Sequence, residues 1–183
     1  MPAHIKHNFT LVLTGIEDIT TEALDSLFDA GCDDGTLSQR AGVVYLTFTR
    51  EAPSLEDAIL SAIRDVRSAG LGVRRVDVCT LVTAAEIGRR IGRSRELVRQ
   101  YATGRRGPGG FPPPACHIVE GNPLYLWCEV AAWLHENNMI TEDVLHDAQA
   151  LDVINGMLDA EHQRRLNPQL AGEVAAAVGE AAR

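Results

Sequence analysis

The sequence predicts an α+β protein in three parts, which meet near residues 79 and 137. Strand-like and helix-like segments alternate up to residue 79, two short helices joined by a glycine turn follow, and the last part carries a helical apolar series. The chain has 183 residues, of which 45% are apolar. That is enough to bury a core without disulfides, and it excludes a wholly disordered chain.

Residues 1–79 contain the element order β-α-β-β-α-β. Ser54 followed by Asp57 resembles a capping box at the start of the second helix. Strand signals lie at 9–14, 36–39, 43–49 and 73–81, and helical apolar stripes lie at 21–30 and 54–66. This order is the ferredoxin-like pattern, which hosts many unrelated functions. We therefore predict a small ferredoxin-like domain whose function stays open.

Residues 80–137 open with two short helices. Thr83 and Glu86 form a capping box for the first helix, and Gly92 ends it. Ser94 is a good N-cap for a second helix that runs to about Ala102. Two short helices joined by a tight turn form a helix-turn-helix, so this segment predicts that motif.

The second of these helices separates apolar from polar side chains. Leu97, Val98 and Tyr101 fall on one face by helical spacing. The other face carries the polar residues Arg95, Glu96, Arg99 and Gln100. Arg95 and Arg99 are four residues apart, so their charges repel each other unless an anion accepts them. Arginine and glutamine suit the edges of guanine and adenine in a DNA major groove.

Charge is segregated along the chain, whose overall net charge is −8. Residues 1–79 have a net charge of −5, residues 80–116 of +5, and residues 117–183 of −8. The acidic average argues against a protein that coats nucleic acid generally. The basic island indicates one local surface for an anionic partner, with an arginine-rich helix that is simply solvated as the alternative.

Residues 105–114 follow the second helix; they are rich in proline and glycine and begin with two arginines. The pattern after them predicts a hairpin that pairs 117–119 with 124–127, and then a closing helix at about 129–137. The run TAAEIGRRIGRSRELVRQYATGRRGPGGFPPP, followed by LYLWCEVAAWL, resembles the winged helix-turn-helix of MerR-like and excisionase-like DNA-binding proteins. The resemblance covers residues 80–137. It does not extend to the first part of the chain.

The resemblance implies a site for double-stranded DNA. In that family the second helix enters the major groove, which assigns base contacts to Arg95, Glu96, Arg99 and Gln100. Phosphate contacts fall to Arg93, Ser94, Arg105 and Arg106, with the wing beside the minor groove. Two features depart from the pattern: Cys128 stands where the family usually has a serine or threonine cap, and a Pro-Gly-rich insert precedes the wing.

Residues 138–183 predict helices. An apolar series runs at helical spacing from Ile140 to Leu158, and an alanine-rich helix follows from Gln169. We expect Gly156 to weaken the first helix and divide it into two pieces. Such helices often pack on a core, but DNA readers commonly bind paired half-sites as two-fold dimers. We therefore predict that these helices join two copies into a homodimer, with a protein partner on the acidic helices as the alternative.

The sequence shows no sign of an enzyme, a metal site or a cofactor site. It has no nucleophile elbow, HExxH motif or Walker loop. Four residues could in principle bind zinc: Cys116, His117, Cys128 and His135. Their spacing matches none of the common zinc-finger patterns. We expect Cys32 to be a buried thiol in a loop, and Trp127 and Trp133 to be core aromatics.

No run of about eighteen apolar residues and no signal-peptide pattern occurs, so we predict a cytoplasmic protein without contact to a membrane. The function that fits best is sequence-specific DNA binding by a bacterial transcriptional regulator. Two alternatives stay open. One is an antitoxin-like adaptor whose C-terminal helices bind a protein, and the other is an excisionase-like accessory that bends DNA.

Overall fold

The computed structural model describes residues 4–119 and 121–180 and confirms the mixed α+β class. In chain order the elements are β1 (Ile5–Thr14), α1 (Thr21–Asp29), β2 (Gly35–Arg40), β3 (Val43–Ala52), α2 (Leu55–Ser68), β4 (Gly72–Val76), β5 (Leu81–Val82), α3 (Ala84–Arg90), α4 (Arg95–Ala102), β6 (Tyr125–Leu126), α5 (Trp127–Glu136), α6 (Glu142–Leu166) and α7 (Pro168–Glu180).

The chain divides into two compact units. The first unit contains the residues up to Asp77 and those from Val153 onward, and the second contains Val78–Asp152. The division falls within α6, so the C-terminal segment contributes residues to both units. The first unit holds a four-stranded sheet, and the second holds the two short helices and a two-stranded sheet.

The four-stranded sheet has the order β2-β3-β1-β4, and its neighbouring strands are all antiparallel. The prediction of one strand over 73–81 is wrong for its second half. β4 ends at Val76, and the N–H of Asp77 donates to the carbonyl of Thr10. Leu81 and Val82 pair instead with Leu126 and Tyr125 in the other unit, so backbone pairing divides what looked like one apolar run.

The core of the first unit follows the alternation of its strands. Phe9, Leu11 and Leu13 of β1 are buried, and the neighbouring strand β3 buries Leu46 and Phe48. Helix α2 closes this core with the predicted stripe, of which Ala58, Ile59, Ala62, Ile63 and Val66 are buried. Its N-cap is also confirmed, because the Ser54 hydroxyl accepts the N–H of Asp57 at 3.0 Å. The buried thiol expected at Cys32 is 4% exposed.

One arginine lies inside the first unit. Arg50 is 8% exposed, and each of its five N–H groups has a partner. The acceptors are both carboxylate oxygens of Asp34 at 2.8 Å, Asp65 Oδ2 at 2.6 Å, the Gly31 carbonyl at 2.8 Å and Ser61 Oγ at 3.0 Å. Arg50 therefore ties β3 to α2 and to the loop after α1.

A side chain of α6 binds the backbone of the last residue of β4. Asn155 is 6% exposed; its Oδ1 accepts the N–H of Val76 at 2.8 Å, and its Nδ2 donates to the Val76 carbonyl at 3.2 Å. The amide thus takes the place of a neighbouring peptide group. Ile154 and Leu158 are buried on either side of Gly156, and α6 continues through that glycine. The expected division of the helix is wrong because packing offsets the low helix propensity of glycine.

Candidate nucleic-acid interface

Helices α3 and α4 begin at side-chain caps, as predicted. The Thr83 hydroxyl accepts the N–H of Glu86 at 3.2 Å, and the Ser94 hydroxyl accepts the N–H of Leu97 at 3.2 Å. The reciprocal half of the first capping box is replaced by ion pairs, because the Glu86 carboxylate binds Arg89 at 2.6 Å and Arg90 at 3.0 Å. Hydrogen bonds from these two arginines lower the pKa of Glu86 to about 2.

The turn between the two helices depends on two glycines. Gly92 has φ +65°, which favours glycine, and it ends α3 as predicted. Gly88 is buried, and a Cβ placed on it would lie 2.6 Å from the carbonyl oxygen of Arg93. The N–H of Arg93 also donates to the Gly88 carbonyl at 2.7 Å. Gly88 therefore allows the start of α4 to pack directly on α3, a role that the sequence signals only by a glycine within a helix.

Helix α4 presents its two faces as the spacing predicts. Val98 is fully buried, and Leu97 and Tyr101 are half-buried. Arg95, Glu96 and Arg99 are exposed, whereas Gln100 is half-buried. The inward face secures the helix to the second unit. Three of the four predicted base-contacting side chains are accessible, and Arg95 and Arg99 lie one helical turn apart on the outward face.

The core beneath α4 is largely aromatic. Trp133 packs on Tyr101 at 5.3 Å and on Phe111 at 5.0 Å between ring centroids, and Phe111 contacts Tyr125 at 5.5 Å. Trp133 Nε1 donates to the Gly109 carbonyl at 2.8 Å. Trp127 and Trp133 are 8% and 6% exposed, so their prediction as core residues is confirmed. Phe111 and Gly109 attach the Pro-Gly-rich insert to this core.

The basic island divides into structural and accessible arginines. Arg90 is half-buried over the Trp127 ring at 4.8 Å and donates to the Cys79 carbonyl at 2.9 Å. Arg89 is exposed but paired with Glu86. Five further arginines are exposed: Arg93, Arg95, Arg99, Arg105 and Arg106. None of these five forms an ion pair with another residue that the structure describes. They lie along α4 and just beyond both of its ends, which makes this surface locally positive.

Arg105 and Arg106 are held at the end of α4. Their backbone N–H groups donate to the Gln100 carbonyl at 2.9 and 3.2 Å, and the preceding Gly104 has φ +68°. A glycine in this conformation just past a helix is the expected C-terminal signal. The chain reverses direction there, and these hydrogen bonds hold the backbone of both arginines next to the end of α4.

A cleft of about 260 Å³ lies beside α4 in the second unit. Arg95 and Arg99 line one side, Asn122 and Pro123 another, and Tyr125 also lines it. Burial raises the pKa of Tyr125, and the positive charge of Arg99 opposes that shift. The cleft therefore brings the outward face of α4 next to the turn that precedes β6.

The predicted hairpin differs from the structure. Residues 117–119 form no strand, and the pairing there is the single bridge between Cys116 and Leu124. The strand partner of β6 is β5 instead. A positive φ of 57° at His117 turns the chain away from an extended path, which alternation in the sequence does not reveal.

Cys128 is not the cap of the closing helix. Helix α5 begins at Trp127 with Leu126 in the capping position and no side-chain cap bond. The N–H of Trp127 donates to the Thr80 carbonyl at 2.7 Å, which extends the β5–β6 pairing into the first turn. The Cys128 thiol points to Asp152 Oδ2 at 3.5 Å. Backbone pairing thus replaces the serine or threonine cap that the resemblance implied.

In residues 4–119 and 121–180 no group of three or more His, Cys, Asp or Glu is arranged to hold a metal ion. In the same ranges no helix is both long and apolar enough to cross a membrane.

Comparison of the chain with protein-family models, with curated proteins and with solved structures gave no match.

Proposed function

We propose that the chain is a sequence-specific DNA-binding protein, a bacterial transcriptional regulator that reads DNA with α4. One observation carries the proposal: α4 buries Val98 completely while it exposes Arg95, Glu96 and Arg99 on its outer face. An α-helix with its side chains is about 10–12 Å across, and the major groove of DNA is about 12 Å wide, so the groove admits α4.

The proposed contacts sort into two classes. Arg95, Glu96, Arg99 and Gln100 meet base edges, where arginine suits guanine, glutamine suits adenine and glutamate accepts from cytosine. Arg93, Ser94, Arg105 and Arg106 meet phosphates on either side of the groove. The Ser94 oxygen already accepts the N–H of Leu97, so its hydroxyl hydrogen is the group that it offers to a phosphate.

The finer fold assignments belong to the same proposal. The sheet order β2-β3-β1-β4 with helices after β1 and β3 supports a ferredoxin-like first unit. The α3–turn–α4 pair and the loop between Cys116 and Leu124 support a winged helix-turn-helix in which that loop is the wing. No cofactor enters the proposal, and a homodimer on paired half-sites fits it.

The acidic segments on either side of the basic island contribute to selectivity. Residues 1–79 and 117–183 repel phosphate, because their net charges are −5 and −8. Binding to DNA of any sequence depends mainly on phosphate neutralisation, so these segments weaken it. Contacts to base edges then account for a larger share of the affinity for the correct site.

Fluorescence anisotropy tests the proposal with a labelled duplex from the region upstream of the gene and a scrambled duplex, each at two salt concentrations. We expect preference for the upstream duplex and weaker binding at higher salt. Arg99→Ala should cost about 1–3 kcal/mol on the preferred site. Arg64→Ala is the matched control, because Arg64 is exposed on α2 and its loss removes the same charge.

Two results would contradict the groove assignment. One is wild-type affinity of Arg99→Ala for the preferred duplex, and the other is equal loss of affinity in Arg99→Ala and Arg64→Ala. Arg105→Ala should differ from Arg99→Ala by weakening both duplexes alike and lowering the salt slope by about one. Strong bending of a multi-site fragment would favour the excisionase-like role over a regulator.

One observation favours an antitoxin-like adaptor as a second candidate. Helix α7 exposes Leu170, Val174 and Val178, which lie four residues apart on one stripe and are 52–68% exposed. An apolar stripe of this kind suits a partner helix. A small protein that co-purifies with the wild type but not with Val174→Asp would support the adaptor, and purification of the wild type alone would weigh against it.

A further inference from the structure

Tyr125 is a buried residue whose hydroxyl group has no partner in the part of the chain that the structure describes. The residue is 5% exposed, its ring packs against Phe111 and its backbone pairs with Val82. No described residue forms a hydrogen bond with the hydroxyl group. Polar atoms of buried residues are nearly always paired, so this hydroxyl group calls for an explanation.

The hydroxyl group opens into the cleft beside α4. Among the described residues, every side-chain nitrogen or oxygen that is completely buried has a hydrogen-bond partner. The Tyr125 hydroxyl has none, so it is not completely buried, and the small exposed part of this residue includes it. Tyr125 lines the cleft of about 260 Å³. The cleft therefore contains a hydrogen-bond donor that the protein itself does not use.

The same cleft is positively charged. Among the described residues that line it, Arg95 and Arg99 carry charge and none is acidic. Burial raises the pKa of Tyr125 and the positive charge of Arg99 opposes that rise, which places this arginine near the phenol. Because burial has the larger effect, the phenol keeps its proton at physiological pH. A neutral donor beside two positive charges suits an anionic oxygen.

We propose that the Tyr125 hydroxyl donates a hydrogen bond to a phosphate of the DNA backbone that enters this cleft. The inference rests on the proposed function, in which α4 lies in the major groove. The two backbone strands border that groove, so a recess beside α4 meets a phosphate, whereas the outward face of α4 meets base edges. Arg95 and Arg99 keep their assignment to base edges, and their charges favour a phosphate in the adjoining cleft.

Tyr125 differs from the arginines already assigned to phosphates. Its ring is fixed by Phe111 and by strand pairing, whereas Arg93, Arg105 and Arg106 are exposed on long side chains. A fixed donor loses little rotamer freedom when it binds. It is also neutral, so its contact adds affinity without displacing a counterion from the DNA. A contact of this kind leaves the salt dependence of binding unchanged.

Tyr125→Phe tests the proposal, because it removes the hydroxyl group and keeps the ring. In the anisotropy titration we expect about 10-fold weaker binding of both the upstream and the scrambled duplex, with the wild-type salt slope. The urea midpoint should stay at the wild-type value, since the hydroxyl has no partner in the described chain. Tyr101→Phe is the matched control. Tyr101 packs on Trp133 in the same aromatic core but is not among the described residues that line the cleft, so this variant should bind as the wild type does.

Replacement of single phosphates identifies the acceptor. In a series of upstream duplexes, each carries one methylphosphonate, in which a methyl group takes the place of a charged phosphate oxygen. The affinity advantage of the wild type over Tyr125→Phe should shrink when the methylphosphonate is at one position in each half-site, and it should persist at the other positions.

Several results would overturn this contact and leave the proposed function standing. They are wild-type affinity of Tyr125→Phe, a loss confined to the upstream duplex, an equal loss in Tyr101→Phe, and an advantage of the wild type that persists at every methylphosphonate position. Failure of the proposed function gives a different result. A wild type that binds neither duplex would overturn that function, and the Tyr125 contact with it.

Discussion

Replacing Gly88 by alanine should destabilise the packing of α4 on α3, although alanine is a better helix former than glycine. The added Cβ would lie 2.6 Å from the Arg93 carbonyl oxygen, 3.1 Å from the Ser94 carbonyl carbon and 3.2 Å from the Arg95 nitrogen. The first distance is about 0.7 Å inside an ordinary carbon–oxygen contact. All three atoms are backbone, so the turn itself has to move.

The magnitude follows from three opposing effects. Overpacking costs about 1–3 kcal/mol, and loss of the 2.7 Å hydrogen bond from Arg93 to Gly88 costs about 1 kcal/mol. The higher helix propensity of alanine returns about 1 kcal/mol. We therefore expect a net loss of about 1–3 kcal/mol, which lowers the urea midpoint by about 1 M.

Tryptophan fluorescence is the suitable assay, because both tryptophans of the chain lie in the second unit. Gly156→Ala is the matched control. Gly156 also lies within a helix, but a Cβ there would meet nothing within 4 Å, so this variant should gain about 1 kcal/mol by circular dichroism. An unchanged or raised fluorescence midpoint for Gly88→Ala would refute the packing argument, and so would a loss for Gly156→Ala.

Three further predictions concern charged and thiol groups. Arg50→Met should cost about 2–4 kcal/mol by urea unfolding, since two carboxylates lose their buried partner; wild-type stability would contradict this. The pKa of Glu86 is lowered to about 2, so its ion pairs stabilise the fold above pH 4.5 and are lost as the pH falls toward 2. The loss of stability on acidification should therefore be smaller in Glu86→Gln than in the wild type, as unfolding followed by tryptophan fluorescence will show. Burial raises the pKa of Cys32 to about 11. Thiol reagents at pH 8 should therefore label the exposed Cys79 first and Cys32 only when the protein unfolds. Peptide mass mapping after labelling checks this order.

Elements with local signals were predictable from the sequence. Helices α2 and α4 each combine an apolar stripe with a serine N-cap. Both signals lie in the helix itself or in the residue just before it, so they can be recognised in the sequence. The same is true of the two faces of α4, so the exposure of Arg95 and Arg99 followed from spacing. Their contact with DNA stays a prediction, because no local pattern specifies a ligand.

Features that depend on distant partners were not predictable in the same way. Leu81–Val82 pairs with residues more than 40 positions later, and alternation alone joined it to β4. Asn155 and its partner Val76 are 79 positions apart. Arg50 offered a clue that sequence reasoning missed: it shares the parity of Leu46 and Phe48 on β3, which places it on the buried face of the strand.

Asn155 is also a potential site of deamidation, because Gly156 follows it. In a flexible chain the backbone nitrogen of a glycine readily attacks the amide carbon of the preceding asparagine side chain, and ammonia leaves as a five-membered ring forms. Water then opens this ring and leaves aspartate or isoaspartate. Within α6 the helical backbone keeps that nitrogen from the amide carbon, and the amide is held on Val76. Each local opening of the helix exposes the pair to this reaction, and an aspartate there would lose the donor to the Val76 carbonyl. The integrity of this sheet edge is therefore set by how often α6 opens, and its loss would accumulate with the age of the molecule.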